Sequence, residues 1–228
     1  MEHIPQHIVL FPDGNRRWAK AKGLPSLEGH MQGYKNLLDF SEWCKNKGVK
    51  TLTAFGFSTE NWNRSEEEVG YLMKLFETCL IDNLEKYIKD GVRVKVIGQR
   101  DRLSESLKKA IEKTEEATKN NSALFLNLAI SYGGRWDILN AVKKIIEEKI
   151  PAEKINEKLF ETYLSTADSP APDFIIRAGG EKRLSNFVLW QAAYSELYFS
   201  PKLWPDFSEK DLDEALLEFD QRQRRFGK

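Results

Sequence analysis

Six short apolar runs, separated by longer segments of helical periodicity, constrain this chain more than any other feature. They are residues 8–11, 51–57, 92–98, 124–130, 174–176 and 197–199. The runs are near-continuous in apolar residues rather than alternating, and strands of that kind are buried on both faces. Strand and helix in alternation then predict an α/β fold: a mostly parallel six-stranded sheet flanked by helices. At 228 residues the chain suits a single domain over residues 1–228, with no internal repeat and no low-complexity linker.

The helices follow from spacing and punctuation. Residues 30–47 carry Leu37, Leu38, Phe40, Trp43 and Cys44 on one face, and Gly48 stops them. Ser65 with Glu68 three residues on reads as a capping box, opening one long helix to about residue 90. Residues 104–119, 134–148 and 208–223 predict further helices, and 156–164 a weaker one. Ser169-Pro170-Ala171-Pro172 is a rigid loop.

Thirty-five basic residues balance 35 acidic ones, so nothing predicts a broad nucleic-acid footprint, and any anion site must come from local clustering. Cys44 and Cys79 fall in apolar helical patterns and read as core thiols, which suits a reducing cytoplasm. No apolar run is long enough to span a bilayer, and the first residues lack a signal-peptide pattern. A cytoplasmic protein is expected.

In open parallel sheets, ligands collect at the carboxyl ends of the strands. Here those ends read Asp13-Gly14-Asn15-Arg16-Arg17, then residues 58–64, Ser131-Tyr132-Gly133-Gly134-Arg135, and residues 177–185. They are rich in Gly, Arg, Ser and Asn. Guanidinium forks grip phosphate at two points, which lysine cannot copy. Asp13 ends a strand, Gly14 turns, and a basic helix opens with Asn15 available as its cap. Backbone N–H groups at a helix start face an anion, and the carboxylate offers a hard oxygen to Mg²⁺. Diphosphate is the implied ligand class. The P-loop pattern is absent, and three histidines with two cysteines show no zinc spacing.

Longer motifs carry a resemblance. Asp13-Gly14-Asn15-Arg16-Arg17-Trp18-Ala19, Gly29-His30, Phe57-Ser58-Thr59-Glu60-Asn61-Trp62-Asn63-Arg64 and Tyr132-Gly133-Gly134-Arg135 occur in that order. Ile176-Arg177-Ala178-Gly179-Gly180-Glu181, Arg183-Leu184-Ser185-Asn186-Phe187, Trp190-Gln191, residues 193–199 and Trp204-Pro205-Asp206-Phe207 follow. Over nearly its whole length the chain resembles the cis-prenyltransferases, the undecaprenyl diphosphate synthase family. That resemblance implies Mg²⁺-dependent, repeated condensation of isopentenyl diphosphate onto an allylic diphosphate such as farnesyl or geranylgeranyl diphosphate. The product implied is a cis-polyprenyl lipid carrier.

The same resemblance implies roles. Asp13 would hold Mg²⁺; Gly14, Asn15, Arg16 and Arg17 would cradle the allylic diphosphate beside His30. Arg177, Arg183, Leu184 and Ser185 would take isopentenyl diphosphate. Ser58, Thr59, Glu60, Trp18, Trp62 and Arg64 would shape and orient the substrates. Glu196 would be a second metal carboxylate, contributed by a partner subunit of a homodimer. Asn61 stands where the family places a proton acceptor. A carboxamide is a poor base, so we read Asn61 as positioning and give the proton to a diphosphate oxygen.

Two positions depart from many bacterial members: Ser26 replaces an arginine, and Arg16 replaces a glycine and is read as its compensation. Arg225-Phe226-Gly227 resembles the closing motif, which implies a tail reaching a neighbouring site. The resemblance implies a product tunnel that side-chain bulk would cap; Gly56 would open space there and Ile130 fill it, so the two give opposite expectations for product length. Contact with a membrane would be peripheral, through the apolar product. The rival readings are a nucleotide-dependent transferase and a non-catalytic regulatory subunit. The latter would be expected to lose Asp13, Arg177, Arg183 and Glu196, all present here.

Overall fold

The strands are β1 (His7–Phe11), β2 (Thr51–Ser58), β3 (Val92–Ile97), β4 (Leu124–Tyr132), β5 (Phe174–Arg177) and β6 (Glu196–Phe199). In the computed structural model, which describes residues 3–222, they form one sheet in the order β3-β4-β2-β1-β5-β6, and every pairing is parallel. The continuous apolar runs now have their reason. Along β1, Ile8 and Leu10 enter the core on one face while Val9 and Phe11 enter that on the other. Neither face meets water.

Eight helices accompany the strands among the described residues: α1 (Asn15–Ala21), α2 (Ser26–Asn46), α3 (Glu66–Asp82), α4 (Leu84–Lys89), α5 (Glu105–Thr118), α6 (Gly134–Glu147), α7 (Glu157–Glu161) and α8 (Glu209–Gln221). Three expectations change. The second helix starts at Ser26, four residues before the predicted start, immediately after Pro25. The helix predicted over 65–90 is two helices, interrupted at Asn83, whose Nδ2 turns back to the Cys79 carbonyl at 3.0 Å. The capping box at Ser65 is half made: Ser65 Oγ accepts from Glu68 N, but the Glu68 carboxylate is engaged elsewhere. Cys44 and Cys79 are buried free thiols, as expected. No helix among the described residues is long and apolar enough to cross a membrane. The Arg225-Phe226-Gly227 motif lies outside the described residues.

A polar chain runs through the sheet away from the strand ends. His7 Nδ1 donates to the Pro170 carbonyl at 2.7 Å, so Nε2 accepts from Thr53 Oγ1 at 2.8 Å. Thr53 Oγ1 in turn accepts from Asn127 Nδ2 at 3.0 Å. This arrangement needs a neutral imidazole. Burial pushes the His7 pKa down from 6.5 to about 4, against smaller upward pulls from the Pro170 carbonyl and Asp173. The unfolded chain therefore binds an extra proton between those values. Stability from His7 is complete above its unfolded pKa and is lost as pH falls toward 4, by roughly 2–3 kcal/mol at pH 4.5. Urea unfolding at pH 7.5 and 4.5 checks it: His7→Gln should lose that much less stability between the two conditions, and equal losses would refute the assignment.

Candidate active site

The site is assembled where β1, β2, β4 and β5 end. After β1, Pro12 leads to Asp13, and Gly14 turns the chain into α1 at φ 107°, a left-handed conformation with little strain for glycine alone. Glycine, rather than Asn15, occupies the cap position, and no side chain caps α1. Asn15 instead points toward α2: a Cβ on Gly33 would lie 2.3 Å from its Oδ1, which is buried without a partner. Gly29 is tighter still, since a Cβ there would sit 2.1 Å from the Asn15 carbonyl oxygen. The pairing of α1 with α2 that presents Asn15, Arg16 and Arg17 thus depends on Gly29. We expect Gly29→Ala to force the helices apart, costing about 1–3 kcal/mol in urea unfolding. An unchanged midpoint would show that α1 is not held this way.

Asp13 and Arg177 form the centre. Arg177, 4% exposed, donates from Nη2 to Asp13 Oδ2 at 2.9 Å and from Nη1 to Ser185 Oγ at 2.9 Å and to the Arg183 carbonyl. Its Nε is buried without a partner, an unusual state that a ligand oxygen would relieve. Arg17 approaches the other Asp13 oxygen at 3.4 Å and Glu181 at 3.8 Å, and Arg183 pairs with Glu181 at 2.5 Å. Two apposed arginines and one carboxylate therefore bind the loop after β5 to the loop after β1.

A second cluster faces them. Glu68, 9% exposed, accepts from His30 Nε2 at 3.2 Å and from Arg64 Nη1 at 2.9 Å, and lies 3.6 Å from Arg16 Nη1. Burial pushes the His30 imidazole below its ordinary value despite the pull of Glu68, and the charges of Arg64 and Arg16 push the same way. His30 is thus a neutral donor. Asn61 is fixed by Ser58: its Oδ1 accepts from Ser58 N at 3.0 Å while its own N–H donates to Ser58 Oγ at 3.2 Å. With its carbonyl oxygen already engaged, Asn61 suits positioning, as read from the sequence.

Apart from Glu68 and Glu181, which hold their partners from outside the lining, these groups line one cavity of about 1400 Å³. Its mouth holds Asp13, Gly14, Asn15, Arg16, Arg17, His30, Ser58, Glu60, Asn61, Arg64, Arg177, Arg183 and Ser185. Its interior is apolar, with Leu37, Leu72, Leu75, Phe76, Leu126 and Leu128. Gly56 and Ile130 both line it, as the tunnel expectation required.

Other expected residues lie elsewhere. Trp18 Nε1 donates to Asp206 at 2.7 Å and Trp62 Nε1 to Ser131 Oγ at 2.9 Å; both indoles are outside the cavity lining, each drawn to a polar partner that is itself outside it. Leu184 packs against the core on the opposite face of the sheet, and Thr59 is outside the lining, bonded to Glu60 at 3.2 Å. Glu196 begins β6 opposite Phe174, whereas Arg177 pairs with Phe199 at the far end, so Glu196 and Asp13 stand at opposite ends of the sheet. Glu196 pairs with Arg222 at 2.9 Å. Within one chain it shares no site with Asp13.

Sequence reasoning gave no individual role to Glu68, Asn186 or Arg135. Asn186 Nδ2 donates to Glu60 at 2.8 Å and its Oδ1 accepts from Arg135 N at 2.9 Å, while both residues line the mouth. The signal for these two was their place inside quoted motifs. Glu68 was hidden by its fit to a capping box.

The undecaprenyl diphosphate synthase family of prenyltransferases matches residues 11–227. The chain belongs to that family. As a member it is a prenyl-transferring enzyme with the six-stranded cis-prenyltransferase fold. It is similar to the isoprenyl transferase of Aquifex aeolicus, 48% identical over 225 residues, covering 99% of this chain and 96% of that protein. It is also similar to the chloroplastic nerylneryl diphosphate synthase of Solanum lycopersicum, 50% identical over 230 residues, covering 99% of this chain and 72% of that one. A solved lavandulyl diphosphate synthase from Lavandula x intermedia, in complex with dimethylallyl diphosphate, superposes with a TM-score of 0.94 at 39% identity over 98% of both chains.

Proposed function

We propose that this cis-prenyltransferase condenses isopentenyl diphosphate repeatedly onto an allylic primer, farnesyl or geranylgeranyl diphosphate, to make a cis-polyprenyl diphosphate of the undecaprenyl type. One observation carries the reading: an arginine-lined mouth opens directly into a deep apolar cavity of about 1400 Å³. That exceeds the roughly 300–1,000 Å³ of an ordinary small-molecule pocket. An apolar chain with a diphosphate head matches both parts.

In the reaction the allylic carbon–oxygen bond breaks and its electron pair leaves with diphosphate. The isopentenyl double bond supplies the pair for the new carbon–carbon bond, and loss of one proton restores a double bond. Arg17, Arg177 and Arg183 stabilise charge gathering on the departing and incoming diphosphates, fixed beforehand by their hydrogen bonds. His30, Arg64 and Arg16, gathered on Glu68, hold the primer's head. The apolar interior excludes water from the carbocation side. Asn61 orients, and a diphosphate oxygen takes the proton.

The donor set fits Mg²⁺. Asp13 is a half-exposed carboxylate at the mouth, and no group of three or more His, Cys, Asp or Glu side chains among the described residues could form an all-protein cage. Mg²⁺ commonly takes one or two carboxylates and completes its shell with substrate phosphates and water. Bound there, it would supply Lewis-acid stabilisation of the leaving diphosphate.

The reading includes a homodimer, supported by the apolar side chains Leu139, Val142 and Ile146 exposed along α6. Glu196 would then act only in a second copy's site. Contact with the bilayer is through the product.

Arg16 and Ser26 both border the mouth. Arg16→Gly should raise the KM for the allylic primer about 10–100-fold, the worth of a charge-assisted hydrogen bond, and leave that for isopentenyl diphosphate within a few-fold. Equal effects on both substrates would remove its compensating role. The reading as a whole is tested by incubating the purified chain with Mg²⁺, farnesyl diphosphate and labelled isopentenyl diphosphate without nucleotide. Labelled polyprenyl product supports it; none, or turnover only with a second protein, favours a regulatory subunit.

A further inference from the structure

Within the apolar part of the cavity one polar side chain crosses between its two helical walls. Tyr34 lies one turn beyond His30 on α2, on the same helix face, and lines the cavity. Its hydroxyl accepts from Asn83 Nδ2. Asn83 is the break between α3 and α4, roughly 22 Å of helix beyond Glu68, the partner of His30 and Arg64. After the break, α4 brings Tyr87, 5% exposed, into the lining.

We propose that Tyr34, pinned by Asn83, limits how far a growing product advances, and so sets the number of isoprene units it carries. This rests on the condensing activity proposed above. The phenol is held neutral, since burial raises its pKa. A hydroxyl in a cavity also lined by Leu72, Leu75, Phe76 and Leu128 is tolerable only while hydrogen-bonded. A hydrocarbon chain offers no donor or acceptor to replace Asn83, so pushing the ring aside leaves polar groups unpaired. The ring therefore yields to a prenyl tail less readily than the leucines around it. The uninterrupted helix expected from the sequence would have lacked this strut. Its joint exists because Asn83 satisfies the Cys79 carbonyl and the Tyr34 hydroxyl together.

The test is the length distribution of product made from Mg²⁺, farnesyl diphosphate and labelled isopentenyl diphosphate, sized after removal of the diphosphate. Length reflects elongation against release, so a variant that merely elongates more slowly shortens the product and cannot produce the lengthening expected of the Tyr34 variants. Tyr34→Ala should lengthen the dominant product by at least one isoprene unit. Cys79→Phe, which adds bulk beside the ring, should shorten it by at least one. Tyr34→Leu, which keeps an apolar side chain, replaces the alanine variant should that fail to fold, with the same direction expected. An active Tyr34→Ala or Tyr34→Leu enzyme with the wild-type distribution overturns this inference alone, whereas a wild-type chain that incorporates no isopentenyl diphosphate overturns the proposed function as well.

Discussion

Arg177→Lys should lower kcat by roughly 100- to 1,000-fold, the cost of losing one preorganised donor at a developing oxyanion. Charge is kept in this variant, and so is most of the aliphatic stem; the guanidinium itself lies over the Phe11 ring at 5.0 Å. What lysine loses is the fork. Arg177 reaches Asp13 with one nitrogen and Ser185 and the Arg183 carbonyl with another. A single ammonium cannot span both sides of the mouth. The loss should therefore appear against both diphosphates, in steady-state kinetics with each substrate varied in turn. Thermal unfolding should place the variant near the wild type, because a cation remains beside Asp13. A fall of less than tenfold would mean that the bridge between the two loops is structural and that diphosphate is held elsewhere.

The sequence and the structure agree most where the pattern had one physical cause. Strands buried on both faces need continuous apolar runs, and β1, β2, β4 and β5 were readable for that reason. The edge strands were found only as short apolar runs: in β3 Arg93 and Lys95 alternate with valines, and in β6 Leu197 is exposed. Residues at strand ends were readable as anion binders because glycine, arginine and serine have little other reason to gather there. The misreadings arose where one residue type serves two purposes. Glu68 satisfied a capping pattern, yet its carboxylate gathers His30, Arg64 and Arg16, which only tertiary packing of α2 on α3 could reveal. Asn83 lies in an unbroken apolar periodicity, so the interruption depends on partners distant in sequence, Tyr34 among them. Trp18 and Trp62 belonged to the right motifs, but their indole N–H groups draw them to Asp206 and Ser131 instead of the cavity. Glu196 was placed correctly on a strand; which end of the sheet it occupies followed only from the register with β5.

Asp13 bears the greatest demand. Its carboxylate stands at the mouth between Arg17 and Arg177, paired with both. If departure of diphosphate depends on a cation and guanidinium groups arranged around this side chain, its removal takes away the cation's protein ligand and leaves Arg177 without its carboxylate, Arg17 keeping only Glu181. The decisive measurement is single-turnover transfer from labelled isopentenyl diphosphate to farnesyl diphosphate by purified Asp13→Ala at saturating Mg²⁺, with Asp13→Asn as a control of matched size. Both variants should remain folded and lose at least about 1,000-fold in rate. Transfer at the wild-type rate by either folded variant would contradict the account at its centre.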